Sequence, residues 1–334
     1  MVVAVTLVFL TALHLFGFLE TRSQAISVSQ VKHWNIKPRT EPSYENDEAV
    51  PVKDSVRLMT VQLHGRTGNM MFAYASLLGL AKQTLRTPVF PGNHYFRTLF
   101  QIKAEHFSSK DIKTWVKYAE KHACMYDERL ANMGETSADI VELVGYFQSW
   151  KYFGHIRDEI RAQFTFQNEI QQQALGLIES AIKGAFDSSM RRADVTLIGV
   201  HVRRGDVATY DSFQRGYTTA SSEYITDAMQ YFGRRFHRSK LLFLLCSDDF
   251  EWCEKNVNEV SGPIARLKNA SDVTHLAALS LCNHTIMTVG SFGWWGAWLA
   301  GGETVYYKSF PRPMSPLSSE FYARDYYYPG WIGM

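Results

Sequence analysis

Four cysteines in 334 residues are few. Cys124, Cys246, Cys253 and Cys282 show none of the short paired spacings that hold zinc. They are an even set, so an oxidising compartment permits up to two disulfides, with three full pairings open. Charge of one sign is also scarce. Lys and Arg total 35 against 33 Asp and Glu, a formal net charge of +2. That balance gives no basic stripe for a nucleic-acid partner, though it permits one basic cleft for a single anion. No Asp-x-Asp pair occurs, so the compact carboxylate pair that holds a divalent ion on a pyrophosphate is missing. There is no internal repeat and no low-complexity tract. What the chain has is apolar material: 46% hydrophobic residues against 20% charged, enough for a sizeable core. Its length suits about two domains, or one large one.

One long hydrophobic run occurs, over residues 2–19, interrupted only by Thr6, Thr11 and His14. As a helix it spans about 27 Å, enough for a thin bilayer. It reads as a retained signal anchor. The competing reading is a cleaved signal peptide. Against cleavage, Phe16, Phe18 and Leu19 are bulky and no clear small-x-small site follows. Arg22 and Lys32 follow the run, which by charge alone favours the opposite topology. Two glycosylation sequons, at Asn269 and Asn283, favour a luminal body. Residues 20–55 are polar, hold Pro38, Pro42 and Pro51, and show no period, as in a flexible stem.

Order is expected from residue 56. A β-like run over 56–63 breaks at Gly65-Arg66-Thr67-Gly68, and Asn69 can cap a helix to about residue 85. Pro88-Val89-Phe90 can start a second strand. Residues 141–144 make a short strand candidate, and 156–164 and 167–186 read as helices. From residue 195 the alternation is regular, with strands over 195–202, 241–245, 284–289 and 304–307. Helices separate them over 222–236, 251–257, 271–281 and 294–300. Alternating β and α predicts a parallel doubly wound sheet, whose ligands lie beyond the carboxyl ends of its strands.

Four strand ends carry chemistry. Gly65, Arg66, Gly68 and Asn69 form either an anion-binding loop before a helix or a tight turn with an N-cap. His201-Val202-Arg203-Arg204-Gly205-Asp206 ends the most buried strand. Strand alternation turns Arg203 and His201 one way and Arg204 the other. One arginine can then face a phosphate while the other pairs with a carboxylate such as Asp206. The bland reading is an ion-pair network. Asp248, after the strand over 241–245, can accept from a guanine edge or a ribose hydroxyl, or belong to a helix cap. Ser291 and Phe292 open a helix whose backbone amides can cradle a phosphate. Trp294, Trp295 and Trp298 read as core.

These motifs resemble the galactoside α-1,2-fucosyltransferases. The resemblance rests on residues 65–69, on Gly145-Tyr146-Phe147-Gln148-Ser149-Trp150, on 201–206 and on Cys282-Asn283-His284-Thr285-Ile286-Met287-Thr288. Ala300-Gly301-Gly302 and Pro329-Gly330-Trp331-Ile332-Gly333 extend it to the end. The signature at 201–206 is shared more widely, with α-1,6- and protein O-fucosyltransferases. Met70 departs from the family pattern, which has Gln there, and the departure bears on the acceptor side.

The resemblance implies an α/β GT-B-like fold with two facing Rossmann-like domains. Residues 56–190 would be the acceptor side and 191–334 would bind GDP-fucose. It implies a type II Golgi membrane enzyme, inverting, with no metal and no cofactor beyond its co-substrate, acting on a galactoside-terminated glycan. By the same resemblance Arg203 binds the pyrophosphate, His201 and Asp248 lie near guanosine, and Ser291 and Phe292 lie near the phosphates. Asp206 is a candidate base, with Glu223 and Asp211 behind it. Two rivals stand beside this reading: a fucosyltransferase of other regiochemistry, and a tethered glycan-binding protein without catalysis.

Overall fold

The structure, a computed structural model, describes residues 57–107, 115–133 and 138–334. The expected anchor and stem lie outside the described residues. Among the described residues no helix is long and apolar enough to cross a membrane.

The described strands form two sheets, each wholly parallel. The first has the order β3-β2-β1-β5-β4. Its strands are β1 (Leu58–Val61), β2 (Thr87–Pro91), β3 (Glu105–Phe107), β4 (Val116–Ala119) and β5 (Ile140–Val144). The second has the order β11-β10-β9-β6-β7-β8. It comprises β6 (Val195–Val202), β7 (Lys240–Ser247), β8 (Ile264–Arg266), β9 (His284–Met287), β10 (Thr304–Tyr306) and β11 (Ile332–Gly333). Strand order reverses between β1 and β5, and again between β6 and β9. Ligand crevices open at such reversals. This is the pair of Rossmann-like halves expected of a GT-B fold.

Local sequence explains the elements. β6 is apolar on both faces because sheet neighbours and helices cover it, and only Thr196 is more than slightly accessible. Helix α1 (Thr67–Gln83) is buried all round from Met70 to Ala81, a wedge rather than a surface helix. Helix α2 (Asn168–Ala185) buries Ala174, Ile178 and Ile182, one face at helical spacing. It packs on β7, β8 and helix α5 (Asp272–Ser280). Helix α3 (Ser222–Arg235) buries Ile225, Ala228, Met229 and Phe232. Helix α4 (Phe250–Asn256) follows β7, and helix α6 (Ser291–Ala300) follows β9. Trp294, Trp295 and Trp298 of α6 are fully buried, and Phe72 of α1 packs on Trp294 at 4.5 Å and on Trp295 at 5.1 Å. Burying each such ring contributes on the order of 1.5–3 kcal/mol.

Several expectations are corrected. α1 starts at Thr67, with Arg66 at the cap position, so Asn69 lies inside the first turn. α6 starts at Ser291, three residues before the apolar run at Trp294 that suggested it. β3, β4, β8 and β11 carry too little pattern to announce themselves; they are two to four residues long and flank the sheets. The four cysteines are all free and buried. Cys124 points its thiol at Gln148 at 3.4 Å, and Cys282 donates to the Ala278 carbonyl at 3.4 Å. No disulfide joins them.

Candidate active site

The end of β6 carries a cluster of three arginines and three aspartates. Arg203 follows the strand, and its backbone N–H donates to Thr288 Oγ1 at 2.9 Å. Its guanidinium meets Asp206 through Nη2 at 2.5 Å and Asp248 through Nε at 3.4 Å. Arg66, from the loop after β1, reaches Asp206 at 3.6 Å. Arg204 turns the other way. It lies over the Trp252 ring at 3.8 Å and pairs with Asp249 at 3.6 Å. Burial of both arginines is therefore compensated. Their roles differ in kind. Arg204 is held by an aromatic face and a carboxylate that also caps α4, accepting from Trp252 N–H at 3.0 Å. Arg203 is held only by two exposed carboxylates, Asp206 and Asp248, and a five-donor fork is not saturated by them.

Two helix N-termini converge beside Arg203. Neither α1 nor α6 has a side-chain cap, so their first-turn N–H groups are not committed to one. They approach so closely that a Cβ on Gly68 would lie 2.7 Å from Phe292 N and 2.8 Å from Ser291 Oγ. Only glycine fits there. Asn69 explains the contact from the other side. Its Oδ1 accepts from Ser291 Oγ–H at 2.5 Å and from Gln148 Nε2 at 2.9 Å. The Ser291 hydroxyl proton is thus spent on Asn69, and the donors left for an anion are the backbone amides. Two positive dipole ends and one partly exposed arginine make a site that suits a pyrophosphate.

His201 is buried at the end of β6 with no hydrogen-bond partner on Nδ1. Burial pushes its pKa down to about 4, so the ring is neutral at physiological pH. Phe292 packs against it at 5.3 Å. Asp248 Oδ1 accepts from Arg204 N–H at 2.8 Å, which stitches the β6 and β7 ends together. The expected residues Gly65, Arg66, Gly68, Asn69, His201, Arg203, Asp206, Asp248, Ser291 and Phe292 thus share one region. Glu223 and Asp211 do not join it. Both are exposed, and the Ser221 hydroxyl holds the Glu223 carboxyl below its ordinary range. Asn269 is exposed at a positive φ of 62°. Asn283 has its Oδ1 taken by Leu197 N–H at 2.9 Å and Arg192 Nη2 at 3.0 Å. Thr288, Trp252 and Gln148 were not picked out individually by sequence reasoning. Thr288 and Gln148 lie inside two of the motifs that carry the resemblance, whereas nothing local marks Trp252.

The family model described as glycosyl transferase family 11 matches residues 30–334. Galactoside alpha-(1,2)-fucosyltransferase 1 of Saimiri boliviensis boliviensis is 33% identical over 284 residues, covering 82% of this chain and 74% of the relative. Galactoside alpha-(1,2)-fucosyltransferase 2 of Sus scrofa is 30% identical over 309 residues, covering 90% of this chain and 86% of the relative. Among solved structures, NodZ alpha-1,6-fucosyltransferase soaked with GDP-fucose aligns with a TM-score of 0.48 and 14% identity, over 77% of this chain and 97% of that one. By the extent of the family match and the identity of these relatives, the chain belongs to glycosyl transferase family 11, beside the galactoside alpha-(1,2)-fucosyltransferases.

Proposed function

We propose that this protein transfers fucose from GDP-fucose to the 2-hydroxyl of a terminal β-galactoside. The observation that carries the reading is the convergence of Arg203 with the uncapped N-termini of α1 and α6, in a chain of this family. In the reaction the acceptor oxygen forms a bond to fucose C1 and gives up its hydroxyl proton to a carboxylate base, for which Asp206 is the candidate, as the C1–phosphate oxygen bond breaks. GDP leaves with the electron pair, and configuration inverts. Arg203 and the two helix ends stabilise the charge that develops on the departing pyrophosphate. Binding of that anion requires Arg203 to trade part of its contact with Asp206 for phosphate oxygens. Asp206 then retains Arg66 as a partner.

The half built on β6–β11 takes the donor, and the half built on β1–β5 supports the acceptor. No Asp-x-Asp pair is available for a divalent ion, and the arginine and the dipoles supply the positive charge instead. Residues 2–19 anchor the chain in the Golgi membrane as a single-pass type II protein.

The test is an assay of GDP-fucose with a panel of β-galactosides, with the product linkage read by NMR. An α-1,2 product formed in excess EDTA supports the reading. A product of another linkage moves the protein to a different regiochemistry, and an absolute manganese requirement overturns the donor-site account.

A further inference from the structure

The motif Gly145-Tyr146-Phe147-Gln148 touches the donor cradle only through Gln148, yet the rest of it is built with care. It follows β5 at the carboxyl edge of the first sheet. Gly145 has φ of 153° and Phe147, not a glycine, has φ of 52°. Strained backbone at a loop persists only where the surroundings over-determine it. Here they do. Phe147 is fully buried. Its carbonyl accepts from Ser76 Oγ–H at 3.3 Å, and Gln148 N–H donates to the Ala123 carbonyl at 2.8 Å. Glu120, just past β4, accepts from both Tyr146 N–H and Phe147 N–H, the latter at 2.9 Å. A Cβ on Gly145 would sit 2.5 Å from the Glu120 carboxyl.

The product of this bracing is the presentation of Tyr146. Tyr146 is 41% exposed, although both flanking residues are pinned. Two residues on, Gln148 bonds Asn69, which bonds Ser291 of the phosphate cradle. Tyr146 thus lies two residues from the link that joins the braced loop to the phosphate cradle. The charged groups that act on Glu120 are Asp127 and Glu320, both acidic. An exposed ring face suits a neutral ligand with a face of C–H bonds.

We propose that Tyr146 is the platform for the acceptor pyranose, held in place by Glu120 as a positioning residue. A pyranose presents one face of C–H bonds, which the electron-rich face of an aromatic ring attracts, while phenols and carboxylates take its hydroxyls. The proposal rests on the reading that the protein fucosylates galactosides, and it assigns the binding site of that acceptor.

Initial rates of transfer from GDP-fucose to methyl β-D-galactopyranoside test it on the full-length protein. Tyr146→Ala should raise the acceptor KM by roughly tenfold or more, the loss of one ring contact. Tyr146→Trp should keep the acceptor KM within about threefold, because the ring face survives. GDP-fucose KM and GDP Kd should hold in all variants, and the melting midpoint serves as the fold control. Glu120→Gln should raise the acceptor KM while leaving GDP Kd unchanged. Saturation-transfer NMR with the GDP-loaded protein should show the galactoside receiving magnetisation in wild type and losing it in Tyr146→Ala. An unchanged acceptor KM in Tyr146→Ala overturns the platform, as does a parallel rise in the GDP-fucose KM. Wild-type protein that transfers no fucose to the galactoside instead overturns the functional reading beneath it.

Discussion

The two sides of the site are built from opposite materials. At the end of β6, Arg66, Arg203 and Arg204 interleave with Asp206, Asp248 and Asp249, and the backbone around them is tied by side chains. Past β4 and β5, one carboxylate braces a strained aromatic loop against backbone amides, and no cation acts on it among the causes of its shift. The first arrangement can exchange partners, since a phosphate replaces a carboxylate at an arginine with little reorganisation. The second cannot exchange anything. It can only hold a shape. One face can receive charge, and the other holds a fixed surface.

The sharpest way to break that comparison is at Arg203. Arg203→Lys should keep the fold and lose about 2–4 kcal/mol of transition-state stabilisation, because a point charge replaces a planar fork. Turnover measured on a variant with an unchanged melting midpoint checks this; near-normal rates would refute the role. The next largest effect lies where the two sides touch. Gly68→Ala places a Cβ 2.7 Å from Phe292 N and must push α1 and α6 apart. We expect a loss of about 1–3 kcal/mol of stability with a weakened GDP Kd, read by denaturant melts and calorimetry.

A third prediction sharpens the contrast through pH. Burial pushes the Glu120 carboxyl up to about 8 from an ordinary 4.5, against the pull of its two amide donors. The folded state therefore holds a proton that the unfolded chain has released. Stability from this group is present in full below about pH 4.5 and is lost as pH rises through 8. Glu120→Gln removes that titration. Wild type should lose on the order of a few kcal/mol relative to the variant between pH 5 and 8, seen as a steeper fall of melting midpoint with pH. Equal slopes would show that Glu120 is ionised throughout. The smallest effect concerns the surface. Asn269 should carry a glycan and Asn283 should not, because Asn269 is exposed and Asn283 is engaged by Leu197 and Arg192. Peptide mapping of protein from a secretory host decides it, and a glycan on Asn283 alone would reverse the assignment.

Much of this was legible in the chain itself. The continuous apolar run of β6, the alternation after residue 195 and the Gly-rich loop at 65–69 follow from local period and turn chemistry, and they predicted parallel sheets with ligand residues at the strand ends. The adjacent arginines at a buried strand end demanded partners on desolvation grounds alone. Which arginine took which partner was not legible. Trp252 claims Arg204 because α4 folds back over the end of β7, and no spacing in the sequence encodes that return. Asn69 looked like a cap and became instead the tie to Ser291, a residue 222 positions away. Glu120 carried no signal at all, since its carboxyl is unusual only through burial against a loop 26 residues on. Periodicity determines which face of an element turns inward. It says nothing of which two inward faces meet, and at this site the chemistry depends on that meeting: two helix ends close enough that only Gly68 fits between them.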